Sequence, residues 1–253
     1  MSEKNIYKLK DKFSDNTYNY YMDSKISKMR VTTIYEKEQD TIKWLNNLTK
    51  DDILLDIGAN MGIYTIYASP KVRKVYAIEP HMANCLSLMK NVELNNYKNI
   101  TIFSIALHNE ELFSDFNMGN LEIGTANNQF TTTIDGDNNK IKTKIIEKKF
   151  GTTIDNLIFK YGVMEIPDHI KMDVDGNEFK ILMGAEKLLG TQKVKSLIIE
   201  YNQKEGKYII DFMEKFGYVL KERQLTANGK KKVNQGVNIE KLAHNMLFVL
   251  QTV

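Results

Sequence analysis

Short apolar runs alternate with amphipathic stretches along most of the chain, a pattern typical of a parallel sheet covered by helices. Residues 53–56, 72–79 and 100–106 are predicted as the first three strands. Between the second and third strands, apolar residues recur at spacings of three and four. This periodicity predicts a helix that buries one apolar face, made of Met82, Cys85, Leu86, Met89 and Val92.

The alternation breaks after the third strand. Residues 111–118 (ELFSDFNM) and 140–150 (KIKTKIIEKKF) both have the character of strands, and the polar stretch between them, around 133–140, is typical of a turn. We therefore expect a β-hairpin that is added to the sheet as an insert over about residues 110–150.

Regular alternation returns in the second half of the chain. Strands are predicted at 168–174 and 196–201, and helices at 178–189 and 208–216. The chain then closes with two strands, GYVLKE and NMLFVLQ, without a helical pattern between them. Because parallel neighbours need a crossover and antiparallel neighbours do not, we predict an antiparallel pair at one edge of a mostly parallel sheet.

Composition and charge exclude several classes of protein. A chain of 253 residues that is 42% hydrophobic can bury one substantial core, and a net charge of +3 is too small to indicate binding of a polyanion through bulk electrostatics. We expect no nucleic-acid partner. Cys85 is the only cysteine, and no apolar run reaches the length of a membrane span. These features predict a cytoplasmic protein, and they carry no signal for its oligomeric state.

The stretch LLDIGANMG, residues 54–62, places a carboxylate before a glycine-bearing turn at the end of the first strand. Ligands of open α/β sheets bind at such strand ends. The close glycine pair of a dinucleotide fold and the lysine of a phosphate-binding loop are both missing here, and Asp56 would attract a cation. Glu79 ends the second strand, near the spacing at which an acid accepts ribose hydroxyls. The two acids therefore indicate a ligand that combines a nucleoside with a cationic end, and S-adenosylmethionine is such a ligand.

A series of motifs resembles the FkbM-type methyltransferases in residue type and in order. The motifs are LLDIGANMGIYT (54–65), VYAIEPHMANCLSLMKNVELNN (75–96), IAL (105–107), TTIDNLI (152–158), IPDHIKMDVDGNEFKILMGAEKLL (166–189) and LIIEYN (197–202). The IKMDVDGNE block is the most specific of them. Because the motifs occur in the family's order, the chain is identified as a member of this family more strongly than by any single motif.

The resemblance implies a Rossmann-like, seven-stranded class I methyltransferase fold over residues 49–253. It also implies S-adenosylmethionine as the methyl donor and a hydroxyl as the acceptor, often on a sugar or a glycosylated product. Residues 1–48 are then expected to form a helical segment that caps the acceptor site. The cofactor-binding residues implied by the family pattern are Asp56, Gly58, Ala59, Asn60 and Gly62 beside methionine and ribose, Glu79 at the ribose, and Ala106 near adenine.

Methyl transfer to a hydroxyl requires groups that orient the oxygen and take its proton. Asp173 and Glu200 lie at the ends of the fourth and fifth predicted strands, across the crevice from the cofactor turn. We predict Asp173 as the principal orienting group or base, with Glu200 in support. Two alternatives stay open. Asp173 could be the structural partner of Lys171, a charge inside an apolar strand that needs pairing, and His108 or His244 could act as the base.

We assign no metal ligand from the sequence. The acidic runs DVDGNE and DGDNN lack the glycine that a calcium loop needs at its sixth position. Magnesium stays an open alternative, because Asp173, Glu200 and Asn202 resemble the ligands that catechol-type O-methyltransferases carry on the same strands.

The acceptor pocket is expected from three segments: the N-terminal region, the insert, and the loop before the last strand. These segments are rich in Tyr, Asn, Gln and Thr, which suits a hydroxyl-bearing acceptor such as a carbohydrate. Trp44 lies at helical spacing from Leu45 and Leu48, and we predict that it packs in the core. A methyltransferase acting on another small molecule or on nucleic acid, and a non-catalytic cofactor-binding protein, are the alternative functions.

Overall fold

The structure is a computed structural model that describes residues 5–126, 128–134, 139–201, 206–225, 233, 235, 242 and 244–251. It begins with an antiparallel hairpin, β1 (Ile6–Lys10) and β2 (Thr17–Tyr21). Alternate residues of β2, Tyr18 and Tyr20, are fully buried. The prediction of a helical segment from residue 1 is therefore wrong for 6–21, where burial alternates with the period of a strand.

Three helices complete the N-terminal region before the central sheet begins. They are α1 (Lys25–Thr32), α2 (Ile34–Lys37) and α3 (Gln39–Asn46). Ser24 caps α1, because its hydroxyl accepts the N–H of Ser27 and the Ser27 hydroxyl accepts the N–H of Ser24 in return. Trp44 is buried in α3, as predicted, and its indole N–H donates to Ser196 Oγ at 2.8 Å.

The other strands belong to two sheets. They are β3 (Ile53–Ile57), β4 (Lys74–Ile78), β5 (Ile100–Phe103), β6 (Ala106–Leu107), β7 (Leu112–Met118), β8 (Gln129–Phe130), β9 (Ile145–Thr152), β10 (His169–Met172), β11 (Ser196–Tyr201), β12 (Tyr218–Leu225) and β13 (His244–Leu250). The central sheet has seven strands in the order β12-β13-β11-β10-β3-β4-β5.

Pairing within the central sheet confirms the predicted α/β fold class. Strands β11, β10, β3, β4 and β5 run parallel to one another, whereas β13 is antiparallel to both β11 and β12. The sheet is buried on both faces, since Leu54 and Leu55 of β3 belong to different apolar clusters on its two sides. Among the described helices, none is both long enough and apolar enough to cross a bilayer.

The insert forms a second sheet of four strands, in the order β6-β9-β7-β8. Strands β7 and β9 are antiparallel, as predicted for the hairpin. They do not extend the central sheet, however, and the third predicted strand is divided: β5 ends at Phe103 in the central sheet, and β6 pairs with β9 in the second. Part of the predicted turn, residues 135–138, lies outside the described residues.

Five helices cover the central sheet in the described part of the chain. They are α4 (Ile63–Ala68), α5 (Met82–Asn95), α6 (Glu178–Met183), α7 (Glu186–Gly190) and α8 (Gly206–Lys215). The single helix predicted over 178–189 is divided in two. The break lies at Gly184, where an added Cβ would come within 2.4 Å of the His108 carbonyl oxygen.

The buried face of α5 differs from the predicted one. Cys85 is buried as expected, but Met82, Leu86 and Met89 are 62%, 52% and 45% exposed. The residues that α5 buries are Asn84, Cys85, Ser87, Leu88 and Asn91. The asparagines are buried because each is hydrogen-bonded: Asn91, for example, accepts the N–H of Tyr21 and donates to the Met61 carbonyl oxygen.

Candidate active site

A cavity of about 560 Å³ opens at the carboxyl ends of the parallel strands. Gly58 follows β3, Glu79 follows β4, Asp173 follows β10, and Glu200 lies near the end of β11; all four line the cavity. Parallel strands direct their carboxyl ends to one edge of the sheet, so residues far apart in sequence meet there. The structure thus brings the predicted cofactor turn and the predicted catalytic acids together.

The turn after β3 has a backbone conformation that its residues are suited to adopt. Gly58 has φ +73, and an added Cβ would lie 1.9 Å from the Asp173 carbonyl oxygen, so no side chain fits there. Gly62 has φ +85 and packs against Leu88. Asn60 has φ 53, in the left-handed region that asparagine tolerates. The turn therefore brings backbone directly against β10.

The N–H groups of this turn are all hydrogen-bonded within the protein. Those of Gly58 and Ala59 donate to the Ile78 carbonyl oxygen, each at 3.0 Å, and that of Gly62 donates to the Ala59 carbonyl oxygen. The N–H of Asn60 donates to Glu79 Oε2 at 2.7 Å, and that of Met61 donates to the Asn60 side chain. The turn consequently offers no backbone donor to a phosphate, which agrees with the missing phosphate-binding motif.

Glu79 is held at the wall of the cavity by two backbone donors. Its Oε2 accepts from Asn60, and its Oε1 accepts the N–H of His81 at 2.7 Å. Burial raises the pKa of Glu79 to about 7, although these two hydrogen bonds act to lower it. Each carboxyl oxygen of Glu79 retains further acceptor capacity for hydroxyl donors of a ligand in the cavity.

Asp56 lies beneath the turn rather than in the cavity. It is fully buried; its Oδ2 accepts from Thr65 at 2.6 Å, and its Oδ1 lies 3.4 Å from Lys171 Nζ. Lys171 Nζ is also 3.9 Å from Asp173 Oδ2. Burial lowers the pKa of Lys171, but the negative charges of Asp56 and Asp173 outweigh it and the pKa is raised. The expected pairing of Lys171 with neighbouring carboxylates is confirmed.

Three carboxyl groups converge next to Lys171. Glu38, Asp173 and Glu200 each offer an oxygen atom, and these atoms lie within 4.8 Å of one another. Burial, followed by the charges of Asp173 and Glu38, raises the pKa of Glu200 well above its usual range. Like charges this close act against the ionisation of all three groups together. Asn202, the third residue of the magnesium alternative, lies outside the described residues.

The insert forms one wall of the cavity, and the residues that it contributes are Phe116, Thr125, Ala126 and Asn128. The Thr125 carbonyl oxygen accepts from the side chains of Asn60 at 2.9 Å and Asn84 at 3.1 Å. The neighbouring Gly124 donates its N–H to Asn84 Oδ1, and its carbonyl oxygen accepts from Arg30 Nε at 2.7 Å. This segment therefore ties the cofactor turn, helix α5 and helix α1 together.

Sequence reasoning missed several residues that line the site. Arg30 comes from α1 and Glu38 from the junction of α2 and α3, whereas His81 and Asn84 come from the start of α5 and Thr125 from the insert. Arg30, Glu38 and Thr125 lie outside the motifs quoted above, whereas His81 and Asn84 lie within the motif at 75–96. Asn84 could have been noticed as a polar residue within a helix that must pack on a sheet, but Arg30 and Glu38 carry no local signal, because only folding brings α1 and α2 over the strand ends.

The remaining predicted residues lie at different distances from the large cavity. Ala59 lines a pocket of about 30 Å³ beside it, and Ala106 lines an apolar pocket of about 40 Å³ behind the turn. Within the described residues, Asp56 and Gly62 line neither of these pockets nor the large cavity. His108 and His244 are buried away from all three, the latter with Nδ1 2.7 Å from the Leu242 carbonyl oxygen.

Residues 56–220, about two thirds of the chain, match the family model described as the methyltransferase FkbM domain. The chain belongs to the FkbM methyltransferase family. The matched segment is an S-adenosylmethionine-dependent methyltransferase domain, and it contains the cofactor turn, Glu79, Asp173 and Glu200.

Individual relatives are more distant. A probable cobalt-precorrin-6B C(15)-methyltransferase (decarboxylating) of Methanococcus vannielii is 24% identical over 158 residues, which cover 62% of this chain and 73% of that protein. The crystal structure of an FkbM methyltransferase from Methylobacillus flagellatus superposes with a TM-score of 0.50 at 16% identity, covering 88% of this chain. The match covers 51% of that structure, so the chain spans about half its length.

The crystal structure of the M. jannaschii tRNA m1G37 methyltransferase has a TM-score of 0.49 at 12% identity, and the match covers 100% of this chain and 59% of that one. At such identities the likeness to solved structures concerns the fold.

Proposed function

We propose that this FkbM family member is an O-methyltransferase that uses S-adenosylmethionine to methylate a hydroxyl of a sugar, a glycan or a glycosylated metabolite. The observation that carries the proposal is the convergence of Asp173, Glu200 and Glu38 on the cavity next to the Gly58 turn. A hydroxyl must lose its proton when it is methylated, and these carboxyl groups lie where the proton would be released.

We propose that the cofactor lies in the cavity in the order that the family pattern implies. Glu79 offers acceptors for the ribose hydroxyls, and the apolar pocket at Ala106, which also contains Asn128 and Asn177, suits the adenine base. Gly58, Ala59 and Asn60 then border the methionine end. We propose that Asp56 and Gly62 shape the turn from behind, without contact with the cofactor.

S-adenosylmethionine supplies a methyl group that is already activated on a sulfonium. The chain therefore has to hold an acceptor oxygen in line with that methyl and exclude water. Asp173 would take the proton that the acceptor hydroxyl loses when it is methylated. Glu200 orients the acceptor by a hydrogen bond, and Lys171, whose Nζ lies 3.9 Å from Asp173 Oδ2, offsets the negative charge of Asp173.

Polar side chains around the cavity favour a hydroxyl-bearing acceptor. Thr33, Asn60, Asn84, Thr125 and Asn128 all line it, with Met29 and Phe116 as apolar contacts. Such a mixture of hydrogen-bonding groups and a few apolar surfaces suits carbohydrates. We leave magnesium out of the proposal, because an ammonium group, Lys171, already lies beside the carboxylate that would have to bind the ion.

Transfer of radiolabelled methyl to a panel of saccharides, glycolipids and RNA tests the proposal. We expect label in a carbohydrate hydroxyl with the unaltered protein and a loss of labelling with Asp173→Asn. Glu110→Gln, an exposed acid outside the cavity, is the matched control and should behave as the unaltered protein. Label found only in RNA would overturn the choice of acceptor, and tight cofactor binding with no transfer to any class would favour a non-catalytic protein.

A further inference from the structure

Arg30 is the one cation among the described residues that line the cavity for which the structure shows no acidic partner. Lys37 lies 3.8 Å from Glu38, and Lys171 lies between Asp56 and Asp173. Arg30, in contrast, forms no ion pair with any described residue. Its Nε donates to the Gly124 carbonyl oxygen at 2.7 Å, which fixes the side chain and leaves the terminal nitrogens available.

The guanidinium lies next to the turn that borders the methionine end of the cofactor. Arg30 lines both the large cavity and the 30 Å³ pocket beside it, and Gly58 and Asn60 line the same two. Its charge is also near enough to Glu79 to act against the burial that raises the pKa of that carboxyl. Arg30 thus projects from α1 and lies at the carboxyl ends of the parallel strands.

A carboxylate placed at this turn needs a donor from elsewhere in the protein. The N–H groups of residues 58–62 all donate within the protein, to the Ile78 carbonyl oxygen, to Glu79 and to groups of the turn itself. The small pocket combines cationic groups, Arg30 and Lys37, with the acids Glu38 and Asp173. Such a pairing of opposite charges complements a zwitterion, the form of a free α-amino acid group.

We propose that Arg30 binds the α-carboxylate of S-adenosylmethionine, so that the N-terminal region completes the cofactor site as well as the acceptor site. This inference depends on the proposed use of that cofactor. The anchoring of Arg30 by Gly124 means that the insert positions the guanidinium, and a bidentate contact to a carboxylate is the geometry that its terminal nitrogens favour.

Calorimetric titration with two ligands that differ only in the carboxylate tests the proposal. The ligands are S-adenosylhomocysteine and its decarboxylated analogue, which retains the amine. For Arg30→Gln we expect roughly tenfold to hundredfold weaker binding of S-adenosylhomocysteine, the range for a lost hydrogen bond to a charged group. Binding of the decarboxylated analogue should be unchanged, and Arg30→Lys should recover part of the affinity.

Lys28→Gln is the matched control, since it removes one positive charge from an exposed position of the same helix and should change neither affinity. An unchanged affinity of Arg30→Gln for S-adenosylhomocysteine would overturn the inference, as would an equal loss for both ligands, which would make Arg30 a structural residue. Failure of the unaltered protein to bind S-adenosylhomocysteine would instead overturn the proposed function itself.

Discussion

The two ends of strand β10 both carry buried polar groups, but they are organised differently. At the amino end, His169 Nδ1 lies 2.7 Å from Ser196 Oγ, the Trp44 indole donates to the same oxygen, and Asp52 binds Lys195 at 2.5 Å. At the carboxyl end, Lys171 and Asp173 lie beside a cavity, with Glu200 close by. Serine, histidine and aspartate meet at the amino end, yet the groups bind one another and face no described cavity.

This difference separates structural from functional polar clusters. A buried polar group whose hydrogen bonds are completed by the protein stabilises the fold. Carboxyl groups that crowd together beside a cavity carry an electrostatic cost that folding alone does not require, and such perturbed groups concentrate at functional sites. Substitutions at the amino end should therefore leave activity unchanged, whereas substitution of Asp173 or Glu200, the acids that line the cavity, should change activity.

The largest expected effect is on turnover. Asp173→Asn removes the proposed base, and we expect kcat to fall by about two to four orders of magnitude, the usual contribution of general acid–base catalysis. The temperature of unfolding should change little. Steady-state kinetics with the identified acceptor and calorimetric unfolding measure the two quantities.

Ser196→Ala is the counterpart at the amino end. It leaves Trp44 and His169 without their shared partner, and we expect a loss of about 1–3 kcal/mol in the free energy of unfolding with kcat unchanged. A large fall in kcat for Ser196→Ala, or an unchanged kcat for Asp173→Asn, would contradict the division between the two ends.

Lys171→Met should give the largest loss of stability. It leaves the fully buried Asp56 without its counter-charge, and removal of one partner from a buried pair costs about 3–5 kcal/mol. Lys195→Met is the comparison at the amino end. Because the Lys195 side chain is 56% exposed, its loss should cost at most about 1 kcal/mol. Denaturant unfolding measures both, and similar losses for the two variants would show that burial does not distinguish the pairs.

The two ends should respond to pH with opposite sign. Burial raises the pKa of Glu178, which follows the Asp173 loop, to about 8, and that of Glu79 to about 7. A carboxyl with a raised pKa stabilises the fold fully below its unfolded pKa near 4.5, and this contribution is lost as the pH rises through about 7 and 8.

Asp52 behaves in the opposite way at the amino end. Burial acts to raise its pKa, but hydrogen bonds from Lys195 and Thr49 lower it to about 2. Its contribution is present above 3.8 and is lost as the pH falls through about 2. Denaturant unfolding between pH 5 and 8 should show stability declining with pH, and Glu178→Gln should reduce that slope. If Glu178→Gln leaves the pH dependence of the unfolding free energy unchanged, groups other than Glu178 cause the decline in stability.

The smallest expected effect is that of a chelator. Since proton transfer in the proposed reaction uses carboxyl groups and the charge beside Asp173 is provided by Lys171, we expect methyl transfer to continue unchanged in EDTA. Loss of activity in EDTA and its recovery with Mg²⁺ would instead indicate that Glu38, Asp173 and Glu200 bind a metal ion. The carboxyl end would then differ from the amino end in holding a metal as well as in lining a cavity.

Prediction from the sequence succeeded where local pattern and topology are sufficient. The parallel strands, the glycine turn and the position of Glu79, Asp173 and Glu200 at strand ends follow from apolar periodicity and from the common direction of parallel strands. It failed on the face of α5, because periodicity assigns methionines to the interior and asparagines to solvent. Asn84 and Asn91 are buried since the insert, the cofactor turn and the N-terminal hairpin complete their hydrogen bonds.

The sequence by itself determined the fold class, the family and the half of the site that lies on the central sheet. Only the tertiary structure decided the other half: Arg30 and Glu38 from the N-terminal helices, Thr125 from the insert, and the burial of Asp56 beneath the turn. The physical reason is the range of the interactions. Strand and turn patterns depend on neighbours within a few residues, whereas the charges around the cavity come from segments that are distant in sequence and acquire their partners only when those segments pack together.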